Sequence, residues 1–347
     1  MQILLVGYHL AKSYYRLCPC VNRNIRWKPI RYNLLRWMMQ AQICCMKHII
    51  WGKGVKRMSS QFDYGIFGGD LRQVYMTEAF LQKGCKVAVY GLAKTVTHEN
   101  CSTVLTLHDL FERSSVLIGP IPMTRDQITI TANNEASDLT IAHVAYLLKS
   151  HHILIGGNIP APLLELCNSK QIPFYDLMLD EVITIKNAIA TAEGTIMEAI
   201  ASSDRNLHDS NCLVLGYGRC AKVLAQKLKG LDARVTVAAR SKKALADAEA
   251  AGHGTVLIEN LKCILPSFVF IFNTIPAPIL DRDCLELVDP SVTIIDIASA
   301  PGGVDFNYAK SHDINAKLCL GLPGKIAARA SANILVTEIL AYLKREK

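Results

Sequence analysis

After residue 58 the chain is a succession of short apolar runs set between polar and glycine-rich stretches. Residues 62–67, 85–90, 116–119, 153–156 and 173–177 each read as a buried strand. Text with helical spacing of apolar positions fills the gaps, as at 71–83, 139–149 and 162–167. Strands alternating with helices predict a doubly wound parallel sheet, the α/β class. The alternation resumes at 212–215, 234–239, 268–272, 293–297 and 318–320, so a second such sheet is expected. Between the two series, a helix is expected to start at Thr191 and run to about Ser203, followed by polar residues 204–210. A last long helix is expected over 324–344, its apolar face returning to the first sheet. The domain plan is therefore a substrate-side domain over 58–190, a connecting helix and linker over 191–209, a dinucleotide-binding domain over 210–323, and a C-terminal helix over 324–347.

The run Cys212 to Leu215 breaks at Gly216-Tyr217-Gly218 and restarts as a helix with Ala221, Val223, Leu224 and Leu228 in period. Strand, glycine turn and helix in that order are the context of a dinucleotide fingerprint. Gly216 permits the turn, Gly218 lets the backbone approach a pyrophosphate, and Ala221 allows close helix–strand packing. Free N–H groups at the helix start, flanked by Arg219 and Cys220, would hold the phosphates. The second strand ends in Ala239-Arg240-Ser241-Lys242-Lys243, with no acid until Asp247. An acid there would take the ribose hydroxyls of NAD; Arg240 with Ser241 suits the 2′-phosphate of NADP. NADP is the expected cofactor.

Composition changes this picture in one place. The chain has 347 residues and a formal net charge of +8. Eleven of its 38 Lys and Arg fall in residues 1–57, which contain no Asp or Glu; the remaining 27 are outnumbered by 30 acids. The basicity belongs to that leader, so it does not mark the main body as a nucleic-acid binder. The leader also holds all three Trp. Its composition admits a transit peptide, a membrane-surface segment, or upstream sequence read in frame ahead of a start at Met58, and the last is preferred. No stretch reaches the ~18 apolar residues of a membrane span. The twelve Cys contain no Cys-x-x-Cys pair, and Cys212, Cys263 and Cys319 lie on or beside apolar runs. Reduced thiols in a cytoplasmic protein, and no metal site, are expected.

The chemistry is expected in the loops beyond the strand ends, where open α/β sheets bind ligands. They carry Asn273-Thr274-Ile275, Asp296 to Gly303, and Gly321-Leu-Pro-Gly-Lys325; the first domain offers Gly68-Gly-Asp70, Arg72, Arg125 and Asp126. Lys325 is read as standing at a helix start, where a cation opposes the dipole unless it faces an anion. Arg72, Arg125 and Lys325 together suit a substrate with carboxylates. Ile159-Pro-Ala-Pro-Leu163 and Ile275-Pro-Ala-Pro-Ile279 end strands in the same way and would line the cleft.

Phe67-Gly-Gly-Asp70-x-Arg72-Gln73, Ile118-Gly-Pro-Ile-Pro122 with Arg125-Asp126, and Thr191-Ala-Glu-Gly194 resemble the first domain of the family of dipicolinate synthase A subunits. Leu213-Val-Leu-Gly216-Tyr-Gly218, Asn273-Thr-Ile-Pro276, Ile295-Asp296-Ile-Ala-Ser299-x-Pro-Gly-Gly303 and Gly321-Leu-Pro-Gly-Lys325 are similar to its second. The resemblance runs from about Phe62 to the C-terminus. It implies NADP-linked oxidation of dihydrodipicolinate to dipicolinate in the mother cell of a sporulating bacterium. It also implies a partner, the flavoprotein-like B subunit of dipicolinate synthase, and an oligomeric enzyme. For such a substrate, Arg72, Arg125 and Lys325 are assigned to carboxylate binding and Asp296 or Asp70 to proton acceptance, with Lys325 in the catalytic set. Two other readings stay open from the residues: another two-domain NADP-dependent dehydrogenase of a small carboxylate, and a non-catalytic NADPH-binding subunit. The first should show a catalytic His late in the chain, where only His253 and His312 stand.

Overall fold

The computed structural model describes residues 61–133 and 138–345. The expectations for residues 1–57 lie outside the described residues. Six parallel strands open the chain: β1 (Tyr64–Phe67), β2 (Val87–Tyr90), β3 (Cys101–Thr103), β4 (Val116–Ile118), β5 (Ile153–Gly156) and β6 (Phe174–Asp176). Helices α1 (Leu71–Leu81), α2 (Leu107–Arg113), α3 (Ile141–Leu147) and α4 (Ala161–Ser169) connect them. A long helix, α5 (Glu181–Ala201), leads to β7 (Asn211–Leu215), β8 (Arg234–Ala239), β9 (Gly254–Leu257), β10 (Phe270–Asn273), β11 (Thr293–Asp296) and β12 (Asn315–Leu318). Their helices are α6 (Arg219–Gly230), α7 (Lys242–Ala250), α8 (Leu261–Ile264), α9 (Arg282–Leu285) and α10 (Phe306–Ser311); α11 (Leu322–Ile326) and α12 (Ala328–Arg345) close the chain.

The two sheets share one topology. The first runs β3-β2-β1-β4-β5-β6 and the second β12-β11-β10-β7-β8-β9. Each reverses strand order once, between β1 and β4 and between β7 and β10, and a crevice opens beyond the strand ends at such a reversal. The central strands β1, β5 and β10 are buried along their whole length, as continuous apolar runs in parallel sheets are. Helix α12 returns to the first sheet. Ala332, Leu335, Val336 and Ile339 pack with Tyr64, Ile66, Met76 and Phe80 in one cluster. Each buried large side chain there contributes about 1.5–3 kcal/mol.

The strands missing from the pattern are edges. β3 and β9 carry no apolar run, because Cys-Ser-Thr and Gly-Thr-Val-Leu are only half covered and none of their residues is fully buried. β12 lies earlier than the apolar text at 318–320, and its Asn-Ala-Lys-Leu is only half covered. α5 starts ten residues before Thr191. Asp180 caps it, accepting from the backbone N–H of Val182 at 2.8 Å and Ile183 at 3.1 Å. The helix expected over 324–344 is two helices, interrupted at Ala327, whose φ of −134° leaves the helical region.

Candidate functional site

The two switch points carry the glycine turns picked out in the sequence, and the structure treats them differently. At the second, Gly216 has φ +89°, and a Cβ there would meet Thr274 Oγ1 at 2.7 Å. Thr274 closes the turn, donating from its hydroxyl (2.8 Å) and its backbone N–H (3.1 Å) to the Leu215 carbonyl. Gly218 precedes α6, and no side chain caps that helix. A Cβ on Gly218 would meet nothing within 4 Å. Uncapped N–H groups beside open space fit a dinucleotide pyrophosphate. Ala221, Leu224 and Leu228 are buried beneath α6, so its start is held rigidly.

Around that turn, Tyr217 is half-buried, with the Lys222 ammonium 5.3 Å from its ring centre, and burial pushes its phenol up. Arg219 donates to Thr184 Oγ1 of α5 at 2.7 Å. Burial pushes the Cys220 thiol up. Ala239 is buried at the end of β8, and Arg240 next to it is exposed. Ser241 caps α7 by accepting from the Ala244 N–H at 3.4 Å. An exposed guanidinium next to a hydroxyl at a helix start suits a 2′-phosphate.

At the first switch point the glycine turn is covered. Gly68 and Gly69 have φ of +64° and +87°, and Gly69 donates to the Thr131 carbonyl at 2.7 Å. A Cβ on Gly68 would meet that same carbonyl at 2.8 Å. The Thr131 carbonyl lies over this turn, so it does not face open space as Gly218 does. What the crevice holds is an ion pair. Asp70 caps α1 and Gln73 completes the capping box, its Oε1 accepting from the Asp70 N–H at 3.0 Å. Arg72 grips the Asp70 carboxylate with Nε (3.0 Å) and Nη2 (2.7 Å), and Nη2 also donates to the Ile121 carbonyl across the crevice. Burial alone would raise Asp70, but the hydrogen bonds and charge of Arg72, and more weakly the charge of Arg125, hold its carboxyl below the usual range.

Helix α11, after β12, meets this pair. A Cβ on Gly324 in α11 would lie 2.6 Å from Asp70 Oδ2 and 2.8 Å from Arg72 Nε. Only glycine lets the loop carrying Lys325 come so close. Lys325 itself is exposed. It lies in the last turn of α11, not the first, so the helix dipole favours its charge and the argument from a misplaced cation falls away. Arg125 is exposed on a turn in which Asp126 accepts from the N–H groups of Ile128 and Thr129.

Asp296, at the end of β11, is fully buried. Its Oδ1 accepts from Asn273 Nδ2 (3.0 Å) and the Ala298 N–H (2.9 Å), and its Oδ2 from the Gly303 N–H (2.6 Å). Asn273 Oδ1 in turn accepts from the Ile275 N–H at 3.0 Å. Together Asn273 and Asp296 lock the loops after β10 and β11.

Residues 63–178 match the family described as the N-terminal domain of the dipicolinate synthase A subunit. The dipicolinate synthase A subunit of Bacillus subtilis is 29% identical over 288 residues, which span 81% of this chain and 97% of that protein. The crystal structure of the dipicolinate synthase A subunit from Bacillus halodurans superposes with a TM-score of 0.74 at 28% identity, covering 82% of this chain and 99% of the other.

The chain is a relative of the dipicolinate synthase A subunit.

The apo-structure of D-lactate dehydrogenase from Escherichia coli shares the fold, with a TM-score of 0.58 at 13% identity over 82% of this chain and 98% of that one. This chain thus has the fold of that dehydrogenase, with a Rossmann-type second sheet. Asp70 and Arg72 after β1 and Gly324 in α11 come together, with Lys325 next to Gly324 in the chain; Asp296 and Asn273 form a separate buried knot. Gln73 received no role from the sequence, although an Asp followed three residues later by Gln is a capping-box signature. The Ile121 carbonyl and the cover over Gly68 had no signal at all. Cys263, expected beside the core, is exposed, and all eight cysteines among the described residues are free. Among the described residues no helix is long and apolar enough to cross a membrane.

Proposed function

We propose that this chain is the A subunit of an NADP-dependent dipicolinate synthase, oxidising dihydrodipicolinate to pyridine-2,6-dicarboxylate in the mother-cell cytoplasm of a sporulating bacterium. The observation that carries the reading is the close approach of Gly324 to the Asp70–Arg72 pair. It sets the Lys325 loop beside the first domain's charged crevice. The oxidation removes one hydride and one proton from the substrate ring. Bound NADP supplies the hydride acceptor, and aromatisation of the ring drives the transfer.

The chain's own residues divide the remaining work. Gly216, Tyr217, Gly218, Arg219 and Cys220 form the pyrophosphate turn, while Ala239, Arg240 and Ser241 take the 2′-phosphate. Asn273, Thr274 and Ile275 shape the wall beside the nicotinamide. Arg125 and Lys325, both exposed cations, bind the two substrate carboxylates, and Arg72 orients Asp70 against them. Asp70 accepts the ring proton; Arg72 keeps it ionised, the form that can accept. Asp296, spent on three donors, positions the loops instead of taking the proton itself. The flavoprotein-like B subunit is the expected partner.

The test is to supply the purified chain with NADP and freshly generated dihydrodipicolinate, with and without the candidate partner. NADPH absorbance and product mass are followed together. Joint appearance of NADPH and dipicolinate supports the reading. Cofactor binding without turnover in either mixture leaves the fold and removes the substrate.

A further inference from the structure

The solvent-facing side of α5 has the composition of an interior. Its buried side, with Ile183, Ala188, Ala192, Thr195 and Ala199, packs into the protein. Apart from the two end residues, Glu181 and Ala201, the exposed positions are Val182, Ile185, Ile189, Glu193, Met197 and Ile200. Five of the six are apolar and stand 45–55% exposed. The charge at Glu193 is already met by Lys227 Nζ of the same chain at 2.9 Å. A surface helix ordinarily turns charged and polar residues outward, and an apolar stripe of this length, broken only at Glu193, marks an interaction site.

The spacing of the stripe says what covers it. From Val182 to Ile200 the intervals are three, four, four, four and three residues, the same from either end. A helix related to a copy of itself by a twofold axis through position 191 runs antiparallel to that copy. Val182 then faces Ile200, Ile185 faces Met197, and Ile189 faces Glu193, each pair formed twice. A twofold interface must be complementary to itself; an unrelated partner would impose no such symmetry. We infer that α5 is the centre of a twofold dimer interface between two copies of this chain. The stripe and its flanks would bury on the order of 1,000 Å² over both copies, the level at which a specific interface becomes credible. Because α5 joins the two sheets, the dimer would brace the same helix that Arg219 of the cofactor turn grips through Thr184.

Sedimentation of the full chain at micromolar concentration should give twice the chain mass. Ile189→Asp buries a charge at the centre of the contact and should weaken self-association at least about tenfold. Tyr146→Asp, at an exposed aromatic position on α3, should leave it unchanged. The double variant Ile185→Cys with Met197→Cys should form an interchain disulfide under mild oxidation, located between those two positions by peptide mass spectrometry. Neither single variant should form it. A monomeric full chain overturns the inference, as does a dimer indifferent to Ile189→Asp. A link joining 185 to 185 overturns the antiparallel register. The cysteine pair reads the geometry even if Ile189→Asp folds poorly.

Discussion

Replacing Asp296 by Asn separates two roles that a buried carboxylate at the end of a strand can have. The side chain is fully buried and its two oxygens accept three hydrogen bonds, from Asn273 Nδ2, the Ala298 N–H and the Gly303 N–H. An amide of the same shape keeps one accepting oxygen and turns an NH2 toward at least one of these donors. If the oxygen stays with Asn273 and Ala298, the new NH2 confronts the Gly303 N–H, whose acceptor now stands at 2.6 Å. An orphaned buried N–H costs about 1–3 kcal/mol, and a bond to a charged group is worth roughly 1.5–3 kcal/mol. The loss should therefore be about 2–4 kcal/mol. For a body of this size each kcal/mol moves the midpoint by roughly 2–4 °C, so thermal unfolding followed by circular dichroism should drop by about 5–15 °C. NADP affinity should fall with it, because the loop through Gly303, which packs against Asn273, loses its tie to residue 296. The reasoning fails if Asp296→Asn melts with the wild type while turnover vanishes. That result would return Asp296 to the chemistry as the proton acceptor.

The two glycines of the cofactor turn should respond oppositely. Gly216→Ala meets both a φ of +89° and the Thr274 hydroxyl, and should lower the melting midpoint. Gly218→Val enters open space and should leave the midpoint alone while abolishing NADP binding by calorimetry. Equal effects of the two would remove the pyrophosphate assignment. Arg240→Ala should raise the KM for NADP roughly 10- to 100-fold with little change for NAD; parallel loss for both cofactors would show that Arg240 does not read the 2′-phosphate. His152 is buried, its Nδ1 accepting from the Lys149 N–H while Nε2 faces the Phe111 carbonyl. Burial, then the charge of His151, pushes its pKa down to about 4. The unfolded imidazole, near 6.5, takes a proton first, so stability is full above about pH 6.5 and declines toward pH 4, by roughly 2 kcal/mol between pH 7 and 5. Urea titrations of His152→Gln should show that part of the acid sensitivity missing.

Both parallel sheets and the glycine turn between β7 and α6 were legible from the sequence because their signals are local. A buried parallel strand must be apolar throughout, and residues 212–215 and 153–156 are. Gly216 and Gly218 declare themselves through the strand before them and the helix after. Edge strands such as β3, half bare and polar, carry no such mark. The start of α5 at Glu181 was hidden because Val-Ile-Thr-Ile is β-branched text. The Asp180 cap and packing against α6 and α12 override that propensity. What only the tertiary structure decided is which polar residues are free to act. Asp70 and Asp296 look alike in sequence, one just past the end of a strand and the other at the end of one. One is held by Arg72 where Gly324 of α11 closes on it, and the other is consumed by three donors in the interior. Hydrogen bonds to Asp296 from Gly303 and Asn273 cross seven and 23 residues, and sequence periodicity does not encode contacts of that kind.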